Sequence, residues 1–588
     1  MTEIVNSSSS GKSGVVLRAG LGPIRDRHIY LLIVLVALIV YGSSVVYQYT
    51  YSDDTQLLVV NQEFLSNLAN IPKLFTTDVF ISVTNPQIFY RPFLNLIFMF
   101  ELQVSKDSPV IFHITNIVIH IGCSLLLFVV FKQLKVSQSI AAMAALLFCA
   151  HPLNTSAVVW IPGRNDTLLT LIILASFSML LRALDTKRLM PLAGHFVLFF
   201  LALLTKESAV ALPILCGAYI FFVRKERVSR TTTWVVILVY AILFATWFGL
   251  RNMVTRSFSV NESLVSLGVG WIQNSPAFIL YLGKVLLPFN LSIYPNLADH
   301  SLILGYVSIA LFATAYFLRR PQSMRGIVWG LGWFFLFLAP TFISGIIFHE
   351  HRAYSAFVGL LFAATQLPLV QSVDLSKYKH VLGLLTLVAL YSVLSMVHSE
   401  QFRNRTAYAT TAFMKDPSID ASYTSLAGLF LDEGNDDEAE RILQSAIARN
   451  PNMKVVHRML GDVYADRHQY ALAAREYETA IRLDPLQLYN YVNYGKMCLT
   501  AGRPDDAGRL WKRSVMINPE FLLGYYYLAN FYIHVKNDPD SAMLYAKEIQ
   551  NRGVAVLPEL LRAIQDNPLY GKRKQQLPIP GKVQGKHR

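Results

Sequence analysis

The stretch from His28 to Thr55 reads HIYLLIVLVALIVYGSSVVYQYTYSDDT, an apolar run that ends at two adjacent carboxylates. About 20 largely apolar residues are enough for a helix to cross the hydrocarbon core of a bilayer. The run from Ile29 to Val46 is too long for the core of a signal peptide, and no cleavage site follows it. We therefore interpret it as the first membrane-spanning helix, with Asp53 and Asp54 just beyond its outer end.

The rest of the composition agrees with a polytopic membrane protein. The 588 residues are 53% hydrophobic and only 15% charged, whereas a soluble chain of this length carries more charge. Similar apolar windows recur along the chain, so the sequence predicts an all-α membrane bundle of about eleven spans in residues 28–400. These windows begin near Ile29, Pro109, Ile140, Thr167, Met190, Ala209, Trp234, Ser301, Ile327, Ala353 and His380.

The basic residues indicate how the bundle is oriented. The net charge of +14 could suggest nucleic acid, but Lys and Arg form short clusters between apolar stretches, as at Arg25 and Arg27. With eleven spans, all of these clusters fall on one side, which the positive-inside rule makes cytoplasmic. We therefore predict no nucleic-acid partner. A first loop of about residues 49–108, and everything after about residue 397, would lie outside the cytoplasm. Ile272–Leu287 would break the alternation, and we interpret it as a re-entrant or membrane-surface helix.

The last third of the chain has an internal repeat. Pro417, Pro451, Pro485 and Pro519 recur every 34 residues, and small residues keep the same phase. A period of 34 is typical of tetratricopeptide repeats, in which small residues let paired helices pack closely. The sequence predicts four such repeats in residues 417–553, outside the cytoplasm. Residues 1–27 are basic and are predicted to form a disordered cytoplasmic tail. Residues 571–588 are also basic and predicted to be disordered. Tyrosines could line the concave surface or fill the packing between helices: Tyr489, Tyr491, Tyr494, Tyr525, Tyr526 and Tyr527.

Polar residues collect at the predicted outer ends of the spans. Asp53 and Asp54 could supply a general base or hold a divalent cation; alternatively they cap a helix or begin a solvated loop. Four cations, Arg91, Arg164, Lys206 and Arg352, suit the phosphate of a lipid-linked substrate. The alternative is that these side chains reach toward lipid headgroups. His349-Glu350-His351 lacks the spacing of a zinc-binding helix, so no metal ligands are assigned. The candidate donor-binding residues are Arg91, His151, Arg164, Asp166, Lys206, Glu207, Glu350 and Arg352.

Three polar residues within the second span form another candidate feature. His113, Asn116 and His120 are spaced near one helical turn, so they share a face. Polar and ionisable groups inside a membrane are costly and usually face a cavity or a partner. We predict that these three side chains line a cavity.

The order of these motifs resembles that of a known family. The Asp53-Asp54 loop, Tyr90-Arg91-Pro92, the helix with Asn116 and His120, HPLN followed by GRND, and Lys206-Glu207 precede the repeats. This order resembles the transmembrane-and-tetratricopeptide (TMTC) O-mannosyltransferases and their bacterial relatives, which have the GT-C glycosyltransferase fold. The resemblance implies a polyprenyl- or dolichyl-phosphate-linked sugar as donor and transfer on the non-cytoplasmic face. It also implies that the acidic pair is catalytic and that His151, Arg164 and Asp166 belong to the site.

Two departures from the family pattern bear on substrate and origin. Asn154 and Ser156 stand where the family usually has a second histidine and a glutamate, which affects the identity of donor or acceptor. The short array favours a bacterial inner-membrane protein with a periplasmic site. Sequons at Asn261 and Asn404 keep the lumen of the endoplasmic reticulum as the alternative.

The sequence therefore predicts an inverting GT-C glycosyltransferase of the EC 2.4 class. It would transfer a sugar, with mannose as a candidate, from a polyprenyl-phosphate-linked donor to a protein hydroxyl. The repeats would hold the protein or peptide acceptor. One alternative is a non-catalytic membrane scaffold that recruits partners through its repeats. Another is a transporter of polyprenyl lipids, which would need polar residues through the membrane depth.

Overall fold

The computed structural model describes residues 25–81, 89–105, 108–225, 228–255, 264–318, 321–342, 347–552 and 556–570. The predicted tail 571–588, all but the last three residues of the predicted tail 1–27, and Asn261 lie outside these ranges. The described part is helical and contains no strand, so the prediction of an all-α membrane bundle followed by a helical array is confirmed.

The membrane domain contains the following helices in chain order. They are Asp26–Tyr41, Gln62–Ser66, Ile71–Leu74, Pro92–Ser105, Val110–Gln133, Gln138–Ala150, Thr155–Val159, Arg164–Thr186, Leu189–Thr205, Ala211–Ala218, Arg230–Thr255, Leu264–Asn274, Ala277–Leu286, Ile303–Leu318, Met324–Leu338, Tyr354–Thr365, Pro368–Gln371 and Tyr378–Ser399. Within a bilayer only hydrogen-bonded backbone is tolerated, which is why each apolar run folds as a helix.

Not every predicted span is long enough to cross a membrane as one straight helix. Within the described ranges, seven helices are long and apolar enough, and Gln138–Ala150 with Pro152–Val159, bent by 49°, would be an eighth. The other three predicted windows lie on shorter helices: Leu189–Thr205, Ile303–Leu318 and Tyr354–Thr365.

Two expectations concern the regions between the spans. Ile272–Leu287 does not form one span, because helices Leu264–Asn274 and Ala277–Leu286 are separated at Pro276. The predicted first loop, residues 49–108, is partly helical. It contains short helices and the apolar helix Pro92–Ser105, which packs against Val110–Gln133 and Leu189–Thr205.

The array consists of four helix pairs between two single helices. The pairs are Asp420–Asp432 with Asp436–Arg449, Lys454–Asp466 with Tyr470–Leu483, Leu488–Thr500 with Pro504–Ile517, and Leu522–His534 with Pro539–Asn551; Arg405–Lys415 precedes them and Pro558–Gln565 follows. The hairpin turns place Gly434, His468, Gly502 and Asn537 in the left-handed backbone region, which ends a helix sharply. The turns of the first three pairs are 34 residues apart, and one extra residue precedes the last.

The small residues of the repeat make room for large aromatic neighbours. A Cβ added at Gly495 would lie 2.4 Å from the indole nitrogen of Trp511. Similarly, a Cβ at Gly461 would lie 3.1 Å from the ring of Tyr477. Tyr491, Tyr494 and Tyr525 are buried in this packing, whereas Tyr489, Tyr526 and Tyr527 are only partly buried.

The array is docked on the membrane domain by polar contacts. The backbone N–H and hydroxyl of Ser418 donate to the two carboxylate oxygens of Asp299, at 2.9 and 2.7 Å. The backbone N–H of Tyr294 donates to Asp416 at 2.8 Å, and that of Gln48 donates to the carbonyl of Arg403 at 2.9 Å. The first helix of the array region therefore sits beside the Asp53-Asp54 loop.

Packing of Met324–Leu338 against Tyr354–Thr365 gives a test of the membrane fold. A Cβ at Gly330 would lie 2.5 Å from the carbonyl oxygen of Gly359, whereas one at Gly332 would meet nothing within 4 Å. We expect Gly330→Ala to lower the free energy of unfolding by about 1–3 kcal/mol, because the two backbones must separate. Gly332→Ala on the same helix is the control. Thermal unfolding of the purified variants in detergent measures the difference, and equal midpoints would contradict this packing.

Candidate functional site

The candidate site is built around the turn that contains Asp53 and Asp54. Tyr51 takes a left-handed conformation with φ of 57°, and a π-helical turn, Thr55–Val59, begins directly after Asp54. Asp54 is buried and accepts four hydrogen bonds: from the N–H and hydroxyl of Thr50 at 2.6 and 3.1 Å, from Ser52 N–H at 2.8 Å and from Thr55 N–H at 3.1 Å. Its carboxylate is therefore fully used in shaping the turn.

Asp53 is in the opposite situation. Its side chain is exposed to solvent, although protein atoms lie close around it. The surrounding protein and the neighbouring Asp54 raise its pKa to about 6, while Arg352 and Arg91 act in the opposite direction. Asp53 is thus an accessible carboxylate that stays ionised at neutral pH and can accept a proton.

Two cations predicted to bind the donor are paired with carboxylates that were predicted beside them. A guanidinium nitrogen of Arg91 lies 3.0 Å from Glu207. The ammonium of Lys206 lies 2.7 Å from both carboxylate oxygens of Asp166. These four residues come from three separate segments, and the fold brings them together near the acidic turn.

Arg352 differs from both, because no described carboxylate lies within 4 Å of it. Its charge nevertheless influences Asp53, His349 and His351. Burial and the nearby cations hold the pKa of His349 at about 3 and that of His351 well below its usual value, so both imidazoles are neutral. Within the part of the chain that the structure describes, Arg352 is therefore the site cation with charge left to neutralise.

Trp160 connects the acidic turn with the segment around Arg352. Its indole N–H donates to the hydroxyl of Thr50 at 3.1 Å. Its ring centroid lies 6.2 Å from that of His349 and 5.3 Å from that of His351. Trp160 therefore contacts both the acidic turn and the segment that precedes Arg352.

Hydroxyl groups beside Asp53 form a part of the site that the sequence did not predict. The phenol of Tyr408 donates to the hydroxyl of Ser52 at 3.3 Å, and the ring of Tyr294 lies 5.9 Å from that of Tyr408. Burial, Tyr294 and Asp53 each raise the pKa of Tyr408, so its phenol stays protonated. No spacing in the sequence singles out Tyr294 or Tyr408, which lie in a loop and in the first helix of the array region.

Arg164 does not fit its predicted role as a ligand of the donor phosphate. It is fully buried and donates to Asn116 at 2.6 Å, to the carbonyl of Phe112 at 2.6 Å, and to Glu101. Its guanidinium also lies 4.7 Å from the ring centre of Phe98. Every guanidinium nitrogen is engaged, because a charge buried this deeply must be paired. Arg164 stabilises the fold.

His151 and Glu350 are also corrections to the predicted donor site. His151 is buried, and its two ring nitrogens contact the carbonyl of Val285 at 2.8 Å and the N–H of Leu153 at 3.2 Å. Glu350 accepts from Lys284 at 2.8 Å and meets His398 at 2.9 Å. Lys284 and His398 hold the pKa of Glu350 at about 2 against the effect of burial. Neither residue has a polar atom left for a substrate.

The helix that carries His113, Asn116 and His120 does not line an open cavity. All three side chains are buried. His120 contacts the hydroxyl of Tyr354 at 2.6 Å and the carbonyl of Cys149 at 2.9 Å. Asn116 donates to the carbonyl of Val158 at 3.0 Å. The face that they share packs against neighbouring parts of the membrane domain.

A divalent cation at the acidic pair does not suit the residues present. Both oxygens of Asp54 already accept hydrogen bonds, which leaves Asp53 as the available ligand. No group of three or more His, Cys, Asp or Glu side chains within the described ranges has the geometry of a metal site.

Known proteins resemble parts of this chain. Residues 91–249 match the family described as dolichyl-phosphate-mannose-protein mannosyltransferase. Human protein O-mannosyl-transferase TMTC1 is 27% identical over 206 residues, which are 33% of this chain and 23% of that protein. A Caenorhabditis elegans protein O-mannosyl-transferase, F38B6.6, is 28% identical over 163 residues, which are 26% of this chain and 23% of that protein. The predicted resemblance to the TMTC-like GT-C family is confirmed.

The extent of these matches is limited. The chain covers less than a quarter of the length of the two relatives described above. Human TMTC4 is 35% identical, but over only 102 residues, 15% of this chain and 14% of that protein. Among solved structures, the crystal structure of MamA protein overlays with a TM-score of 0.22 at 19% identity, over 26% of this chain and 87% of that one.

The structural role of Arg164 can be tested by measuring the stability of a variant that lacks its charge. We expect Arg164→Gln to lower the free energy of unfolding by about 3–5 kcal/mol, because Glu101 would remain as an unpaired buried charge. Arg352→Gln is the control, since it breaks no ion pair within 4 Å among the described residues. Thermal unfolding in detergent distinguishes the two variants. An Arg164→Gln protein as stable as the wild type would restore Arg164 as a candidate ligand.

Proposed function

We propose that this chain is a membrane glycosyltransferase that transfers a sugar from a polyprenyl-phosphate-linked donor to a hydroxyl group of a protein. Mannose is the first candidate, because the matching family and the relatives are named as mannosyltransferases. Transfer would occur on the periplasmic or lumenal side. The observation that carries the proposal is the accessible Asp53 carboxylate beside the unpaired Arg352.

Asp53 would act as the general base. A base must be within hydrogen-bond reach of the proton it removes, and its oxygens must be accessible to the acceptor. Asp53 meets the second condition, whereas Asp54 is occupied by the four hydrogen bonds of the turn. Asp54 would therefore position Asp53.

The reaction would be a single displacement that inverts the anomeric carbon. The acceptor oxygen forms a bond to that carbon as its proton passes to the Asp53 carboxylate. The bond from the anomeric carbon to the phosphate oxygen breaks, and its electron pair leaves with the polyprenyl phosphate. Arg352 would stabilise the charge that builds on this phosphate, because a placed cation is most effective where charge develops.

Arg91 and Lys206 would help to bind the donor phosphate while each stays in an ion pair with a carboxylate. Arg91 shares its charge with Glu207, and its Nε has no hydrogen-bond partner among the described residues although it is buried. Lys206 is held by both oxygens of Asp166. The two pairs together carry no net charge. Arg352 would therefore supply the positive charge that attracts a phosphate to this part of the site.

We expect Asp53→Asn to lower the rate of sugar transfer by about 10²–10⁴, the usual contribution of a general base. Transfer from a polyprenyl-phosphate-mannose donor to a Ser/Thr-rich peptide would be measured with purified protein in detergent. Glu63→Gln is the matched control, because Glu63 is an exposed carboxylate in the same outer region.

Two results would contradict this proposal. Near-normal transfer by Asp53→Asn would exclude Asp53 as the base. Absence of transfer by the wild-type protein with all polyprenyl-phosphate sugars tested would favour the scaffold alternative, in which the array recruits partners without chemistry.

The pKa of Asp53 gives a second expected outcome. A base must be deprotonated, so kcat/KM should be constant above the pKa of about 6 and fall about tenfold for each pH unit below it. Because Arg352 lowers that pKa, Arg352→Gln should move the acid limb to higher pH. It should also reduce kcat/KM by about 10²-fold through the lost phosphate contact. A limb at the same pH in the wild type and in Arg352→Gln would show that Asp53 does not control it.

A further inference from the structure

A cavity lies between the array and the acidic turn that contains Asp53 and Asp54. Its volume is about 200 Å³, and it is lined by Thr50, Tyr51, Arg405, Ala409, Thr424 and Ser425. The first two residues belong to the acidic turn, the next two to helix Arg405–Lys415, and the last two to the first helix of the first repeat. The cavity therefore exists only because the array is docked on the membrane domain.

The cavity is within reach of Asp53. Thr50 forms part of its wall and also donates two hydrogen bonds to Asp54. Tyr51 is two residues from Asp53, a separation that spans at most about 7 Å of backbone. A ligand that contacts Tyr51 would therefore lie two residues along the turn from the proposed base.

The lining indicates an uncharged, hydrogen-bonding ligand. The guanidinium of Arg405 is paired with Asp432 and lies 5.4 Å from the ring centre of Tyr51. The other polar walls are hydroxyl groups. A lipid phosphate would instead require an unneutralised cation, and the cation that lines this cavity, Arg405, is paired with Asp432.

A second cavity continues along the array. It measures about 220 Å³ and lies between the second and third repeats, with Lys454, Arg458, Tyr489 and Asn493 in its wall. Its cations are also paired, Lys454 with Asp484 at 2.6 Å and Arg458 with Asp462 at 2.8 Å. Two small, polar, charge-balanced cavities along one row of repeat helices suit an extended polypeptide, whose backbone offers hydrogen-bonding groups at each residue.

We infer that the first cavity, lined by Thr50, Tyr51, Arg405, Ala409, Thr424 and Ser425, binds the acceptor polypeptide next to the hydroxyl that receives the sugar. This inference rests on the proposed function and specifies its acceptor site. The volume is below the usual 300–1,000 Å³ of small-molecule sites, so it admits one or two residues of an extended chain. The rest of the acceptor runs along the array toward the second cavity.

The test fills the cavity without touching the acidic pair. Thr424→Trp places a large ring in it, and Thr406→Trp adds the same ring at an exposed position of helix Arg405–Lys415. Binding of a fluorescein-labelled Ser/Thr-rich peptide would be measured by anisotropy on the full chain in detergent. Transfer kinetics with the polyprenyl-phosphate-mannose donor would be measured on the same proteins.

We expect Thr424→Trp to raise both the Kd and the KM for the peptide about tenfold or more, a change of about 1.4 kcal/mol or more. The KM for the donor should stay unchanged, and Thr406→Trp should behave as the wild type. Unchanged peptide binding in Thr424→Trp, or no peptide binding to the wild type, would overturn the inference. A raised donor KM with unchanged peptide binding would overturn it too, because it would mark a donor site.

A second variant keeps the test decisive if Thr424→Trp does not fold. Ser425→Cys is nearly isosteric, and the native cysteines at positions 123, 149, 216 and 498 are all buried. Saturating peptide should slow maleimide labelling of Ser425→Cys about tenfold but leave Thr406→Cys unaffected. Equal labelling with and without peptide would overturn the inference. Protection without any sugar transfer would reject the proposed function and leave the peptide site standing.

Discussion

The hydrogen bonds accepted by Asp54 hold the acidic turn, residues 50–55, in one arrangement. Thr50 supplies two of them, and its hydroxyl also accepts from Trp160. Through Trp160 the turn reaches His349 and His351, beside Arg352. Because a catalytic group must be held close to its productive position, the neighbour of Asp53 serves the site best as a structural anchor. One carboxylate fixes the geometry so that the other stays accessible.

Charge pairing distinguishes the residues that stabilise this membrane domain from those that are free to act. The ion pair of Arg164 with Glu101, and that of Lys284 with Glu350 and His398, are buried. The pair of Arg91 with Glu207, nearer the acidic turn, is more exposed. The exposed fractions of the two side chains are 12% and 28%. Burial makes an unpaired charge expensive, so the deepest cations have partners within the protein. Arg352 has no ion-pair partner among the described residues, and its side chain is only partly buried.

The sequence predicted the parts of this arrangement that depend on local pattern. Apolar windows predicted the helices of the bundle, and the 34-residue period predicted the paired helices of the array, because both signals are local in the sequence. It also predicted that Asp53, Arg91, Lys206 and Arg352 gather at one end. It could not tell Arg352 from Arg164, since Arg164 begins one helix and Arg352 lies just before another. The partner of Arg164, Glu101, is 63 residues away and belongs to a helix that the sequence placed in a loop.

The docking of the array adds a constraint that neither domain has alone. Tyr408 belongs to the first helix of the array region, yet it contacts Ser52 in the acidic turn and stacks with Trp160 at a centroid distance of 6.4 Å. Ser418 and Asp416 fix the same region to Asp299 and Tyr294. A polypeptide held by the array would therefore be held relative to Asp53 as well. Fixing two reactants in this way replaces a bimolecular encounter by a positioned one, which is among the largest contributions to enzymatic rate.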